Sequence, residues 1–276
     1  MKKVLCSDSA QILLAIIVAL NLAELAIAAE KKDARVTQVI KEVRLLTSKT
    51  AARPAAVNDA VHEGAAVKTG SGSRAELTFT DQTLTRLGAN TLFSFGDGAR
   101  EFDLNSGALL LCAPKGKGEV RINTAAVTAA VTGGIAMVEA HSGSWTKFIV
   151  IEGAACVKLK NSSAPCLKLH AGEMLILPPG ARRFTEKKTV NLKKLVGTAG
   201  LIHQGPLPGW VDDLITAEVE NQETSPPSGG YTDPTGLDKI DQKAATNPTP
   251  RPPVVRPPPR PPPPPPPGPP PGSSPG

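Results

Sequence analysis

Cys156 and Cys166 stand at equal distances from Asn161 in ACVKLKNSSAPCLKL, and this symmetry is the clearest chemical signal in the chain. Asn-Ser-Ser-Ala is a turn signal, and a hairpin folding there sets the two cysteines directly opposite each other. Strand alternation puts Val157, Leu159, Leu167 and Leu169 on the core face and leaves both thiols on the face of Lys158 and Lys168. In an oxidising compartment two exposed thiols meeting across strands form a disulfide. The alternatives are a free reactive pair or half of a metal site, although the spacing matches no compact zinc knuckle and His170 is the one histidine nearby. Cys112, in GALLLCAP, reads as a buried lone thiol, with exchange among the three cysteines left open.

Other groups with reactive potential are scattered. His62, His141, His170 and His203 show no ligand spacing, and no Gly-x-Ser-x-Gly elbow is present. Glu139, Glu152 and Glu173 fall at or near strand ends or turns, so only tertiary folding brings any two together. TGSGSRAELTFTDQTLTRL, residues 69–87, poses the question of a phosphate loop. Such a loop has a strand before its glycines, a helix after them and a Lys-Ser or Lys-Thr pair. Here Gly70 and Gly72 lead into a strand and no lysine follows, which points to a turn. The glycines of NTAAVTAAVTGGIAMVEA sit among threonines and valines, so Gly133-Gly134 marks a bend or bulge rather than a cofactor loop. These residues assign no catalytic, cofactor-binding or metal-ligating role, and the expectation is a protein that is not an enzyme.

The elements around these residues are strands. Between Val36 and Phe184 apolar and polar residues alternate, broken by Gly, Pro and Asn turns, which predicts an all-β body. In RAELTF, Ala75, Leu77 and Phe79 share one face, and Arg74, Glu76 and Thr78 the other. The β domain spans 34–200, followed at 203–222 by a short helical appendage headed by Asp212 and Asp213. Trp210, Leu214 and Ile215 supply the apolar side that docks on the body or on a partner.

Both ends read as non-globular. Residues 1–28 carry Lys2-Lys3, an apolar stretch and small residues at a cut site, the pattern of a signal peptide, with an uncleaved anchor as the alternative. The expected location is periplasmic or secreted, with membrane contact only if that segment stays uncleaved. Residues 223–247 form a polar linker, and 248–276 a polyproline II tail with Arg251, Arg256 and Arg260 set into it. The net charge of +6 suggests nucleic acid, but an aromatic content of 3% leaves no stacking platform, so no nucleic-acid partner is expected.

Taken together, the strands resemble the FecR domain, a periplasmic domain named for a regulator of iron-citrate uptake. The matching residues are Gly64, Thr69-Gly70, Ser73-Arg74-Ala75-Glu76-Leu77, Asp81-Gln82-Thr83, Leu104-Asn105-Ser106-Gly107, Thr124, Ala129 and Gly133-Gly134. Val150-Ile151-Glu152-Gly153 and Leu169-His170-Ala171-Gly172-Glu173 match most closely. The resemblance covers about residues 36–180 and implies a solenoid-like or sandwich-like β fold without known catalytic residues. Two departures stand out: Gln82 replaces the usual turn glycine, and Gly134 stands where threonine is usual. Signal-transducing members also carry an anti-sigma segment, a transmembrane helix and a receptor-contacting domain, whereas here linker and polyproline follow the domain. The expectation is an exported binding or scaffolding module contacting an envelope protein or cell-wall glycan. The alternative is a signal-transduction component contacting a receptor or membrane regulator.

Overall fold

The computed structural model describes residues 33–47, 50–96 and 100–234; the segment 1–28, most of the 223–247 linker and the proline tail lie outside them. In chain order the strands are β1 (Ala34–Ile40), β2 (Val43–Thr47), β3 (Thr50–Pro54), β4 (Ala60–Val61) and β5 (Ala66–Thr69). Then come β6 (Arg74–Phe79), β7 (Leu84–Leu87), β8 (Leu92–Gly96), β9 (Glu101–Ala113) and β10 (Val120–Asn123). The last are β11 (Val127–His141), β12 (Trp145–Leu159), β13 (Leu167–His170), β14 (Glu173–Leu177) and β15 (Lys188–Thr189). Two helices follow, α1 (Leu192–Thr198) and α2 (Gly209–Thr224).

These 15 strands belong to one hydrogen-bonded sheet, which three long strands divide into two facing layers. The first half of β9 pairs with β8 and with β10, its second half with β7 and β11. In β11 the half before Gly133 joins β10, and the half after it joins β9. In β12 the first half joins β14 and the second joins β13. The division falls at Gly107, Gly133-Gly134 and Gly153, all with positive φ. A Cβ at Gly134 would lie 2.5 Å from the Glu152 carbonyl oxygen, and one at Gly153 2.9 Å from that of Gly133. Backbones approach here more closely than any side chain allows. One layer therefore runs β15-β14-β12-β11-β9-β7-β6-β1-β4, and the other β13-β12-β11-β10-β9-β8-β5-β2-β3.

The core lies between these layers. Phe79 of β6 meets Phe95 of β8 edge-on with ring centroids 5.0 Å apart, and stacks on Phe102 of β9 at 5.1 Å. Ala75, Leu77 and Phe79 are buried while Arg74, Glu76 and Thr78 are half-buried, as the alternation of RAELTF requires.

The outer face of the first layer is buried as well. Leu110 and Cys112 on β9, Ile135 and Met137 on β11, Ile149 and Ile151 on β12, and Met174 and Ile176 on β14 are all within the protein. The chain from Val190 onward covers them. Leu201 reaches Gly88, Leu192 approaches Gly172, and α2 packs on β12 through its buried Val211 and Ile215. A third layer of helix and loop thus lies over the sheet.

This cover begins beyond Phe184, where the expected strand alternation ends. Helix α1 forms inside the 34–200 span because LKKLV carries apolar residues at helical spacing behind the Asn191 cap, whose side chain accepts from Lys194 N. Helix α2 runs on to Thr224 and buries Val211 with Ile215, while Trp210 and Leu214 are half-buried. The start of the expected linker is also fixed. Thr232 bridges Val190, and the Lys147 Nζ donates to the Pro234 carbonyl at 3.2 Å.

Candidate recognition surface

Cys156 and Cys166 are joined in a disulfide with Cα atoms 5.5 Å apart. They are not directly opposite: Cys156 faces Lys168 and Val157 faces Leu167, so the bond runs diagonally. Pro165 cannot donate to the ladder, and pairing of the second strand begins only at Leu167. The faces are as alternation requires, with Val157, Leu159 and Leu169 buried and Lys158, Lys168 and Cys166 exposed. Closing so short a loop stabilises by roughly 2–3 kcal/mol. Cys112 is a free, fully buried thiol on the covered face of β9. Burial pushes its pKa up to about 12, so it stays protonated.

The glycine-rich stretch is a turn tied into the fold. Ser73 Oγ accepts from Glu42 N at 3.1 Å, and Thr69 Oγ1 donates to the Gly88 carbonyl at 2.6 Å. At the next turn Gln82 itself takes the left-handed conformation, with φ 71°, that a glycine would take. The three glutamates are not brought together. Glu139 pairs with Lys147 at 3.0 Å, Glu152 with Lys115 at 2.8 Å and Glu173 with Lys187 at 2.6 Å. His62 pairs with Asp33 at 2.9 Å and His141 packs on Trp145, while His170 and His203 are exposed. Among the described residues no group of three metal-ligating side chains converges.

The outer face of the second layer contrasts with the covered one. One row across seven strands reads Lys158, Thr128, Asn123, Asp103, Ser94, Ala66 and Leu46, each half-buried or exposed. Thr128 Oγ1 donates to Asn123 Oδ1 at 2.8 Å, and Asn123 Nδ2 to Glu101 Oε1 at 2.9 Å. These bonds tie Thr128, Asn123 and Glu101 together on the open face. Beside the disulfide a groove of about 540 Å³ opens onto it. Ala130, Thr132, Gly133, Gly153 and Ala154 form its small-residue floor, and Lys115, Lys168, Glu119 and the cystine its walls. Lys115 is held by its hydrogen bond to Glu152, which raises its pKa and keeps it charged.

One organising residue escapes a reading of the sequence. Arg86 on β7 is fully buried and donates to Glu76 Oε2 at 2.8 Å, to the Leu201 and Ile202 carbonyls at 3.1 and 2.8 Å, and to those of Gly205 and Pro206 at 3.1 and 2.7 Å. It anchors the C-terminal cover to the sheet. The signal available was an arginine inside the short strand LTRL, flanked by Thr85 and Leu87.

Residues 65–156 match the family described as FecR protein. The matched stretch runs from the start of β5 to Cys156 in β12, so it contains the long β9 and β11 but neither β13 nor the C-terminal cover. No curated protein matches the chain. Two crystal structures of a candidate anti-sigma factor from Parabacteroides distasonis are similar to it. One is 14% identical and covers 50% of this chain and 74% of that one, with a TM-score of 0.39. The other is 15% identical, with coverages of 50% and 73% and the same TM-score of 0.39.

Proposed function

From a chain that carries a FecR domain, we propose an exported, non-catalytic recognition module of envelope signal transduction, which contacts a receptor or a membrane regulator. The observation that carries this reading is the family match over residues 65–156, the stretch whose strands build most of the uncovered outer face. That face is polar, hydrogen-bonded in place and open to solvent, the character of a surface for a transient protein partner. A wall-glycan scaffold has less behind it. Sugar faces are met by aromatic rings, and the two tryptophans lie elsewhere, Trp145 buried at the β11–β12 turn and Trp210 on α2.

In-cell cross-linking of the full chain, followed by mass spectrometry of the captured species, tests the proposal. Enrichment of an outer-membrane receptor or a membrane-anchored regulator is the expected result. Enrichment of wall polymer alone, or capture that depends wholly on residues 248–276, would overturn it.

A further inference from the structure

The β12–β13 hairpin is strongly one-sided in charge. Between Gly153 and Thr185 the charged residues are Lys158, Lys160, Lys168, Arg182 and Arg183 against the single acid Glu173, which Lys187 already holds at 2.6 Å. Lys158, Lys160 and Lys168 are exposed and have no ion-pair partner among the described residues. Among those residues β13 pairs with β12 alone; at its far edge the His170 N–H already donates to Glu173 Oε2 at 2.8 Å, and Lys168 presents its backbone groups with no strand beside them. Proteins blunt such edges with lysine, and here Lys168 lies on the edge strand itself and lines the groove beside the disulfide.

We propose that this edge receives an extended acidic segment of a partner protein, added as a further strand beside β13. The inference rests on the recognition reading above and names its partner's chemistry. Register sets the pattern. A strand laid against β13 turns alternate side chains toward the face of Lys168 and Lys158 and the others toward the side of Leu167 and Leu169. Acidic residues at every second position therefore meet the lysines, with small apolar residues between them. The disulfide locks the hairpin that carries the lysines, so the edge is preformed before binding. A polyanion without a peptide backbone would gain the charge attraction but nothing from the strand edge.

The test uses the full chain and a blocked, fluorescently labelled ten-residue peptide alternating Glu and Val, followed by anisotropy at low and physiological salt. Saturable binding is expected, weakened at least tenfold in the double variant Lys158→Glu, Lys168→Glu, whose melting temperature serves as the folding check. Lys193→Glu, on α1 and far from the hairpin in sequence, should bind as the parent does. Linear polyphosphate is the competing probe. Binding of polyphosphate as tight as the peptide, no saturable peptide binding, or indifference to the double reversal would each overturn the inference. If the double variant still captures the receptor or regulator in cells, this inference falls while the recognition reading stands.

Discussion

Arg86 shows how one side chain can decide whether a layer stays attached. Its five hydrogen bonds reach carbonyls up to 120 residues away. Arg86→Met keeps most of the volume but strands four carbonyls of the cover and leaves the Glu76 carboxylate with the Thr37 hydroxyl in place of its cation. The expected loss is about 3–5 kcal/mol in denaturant unfolding, with faster amide exchange confined first to residues 199–206. Cys112 supplies a second residue-level prediction. Alkylation of folded, oxidised protein should label no described cysteine, and in denaturant without reductant it should label Cys112 alone among them, since Cys156 and Cys166 are bonded. Labelling of Cys112 in the native state would mean that the cover opens readily. The buried lone thiol is legible in GALLLCAP, whereas the role of Arg86 is not: its nearest carbonyl partner lies 115 residues off, and only an arginine within the short strand LTRL hints at it.

Among the elements, the long strands carry the architecture and their glycines carry the bends. The bend at Gly133-Gly134 is legible from sequence because two glycines interrupt a run of threonine and valine. That β9 and β12 also bend is not, since Gly107 and Gly153 each stand alone in ordinary strand patterns. Gly134→Ala should cost about 2–4 kcal/mol, because a Cβ there meets the Glu152 carbonyl at 2.5 Å and the backbone has φ 145°. Thermal unfolding checks this, and an unchanged midpoint would show that the strands can separate at the bend. The faces of the hairpin follow from alternation, but its register does not, because Pro165 delays the second strand. The runs FIVI in β12 and MLIL in β14 break alternation, and continuous apolar runs of that kind mark strands buried on both faces. Read that way, they foretell a covering layer; read as alternating strands, they do not.

For the molecule as a whole, one sandwich face is sealed and the other open, and truncations should separate the two consequences. Ending the chain after residue 247 removes only the proline tail, which lies outside the described structure, and should leave the melting temperature unchanged. Ending it after Thr189 removes α1, α2 and the loop held by Arg86, and so bares Ile149, Ile151, Met174 and Ile176. An exposed apolar patch of this kind drives association, so the shorter chain should aggregate or lose cooperative unfolding. A soluble, cooperatively folding 1–189 fragment would show that the cover is dispensable. The all-β class and the FecR resemblance were legible in residues 65–156, where glycines and alternation fall inside the matched stretch. The covering layer lies beyond it.

The central claim is that the open face of the second layer is where this β domain meets its partner. Site-specific photo-cross-linking in cells tests it most directly. The probe is placed in turn at Thr132 and Lys68, exposed on the open face, and at Thr216 and Glu220, exposed on α2 over the sealed face. The account predicts that Thr132 and Lys68 capture a receptor or membrane regulator and that the two α2 positions do not. Capture of that partner from Thr216 or Glu220 alone would contradict it, and would make the C-terminal cover the recognition surface.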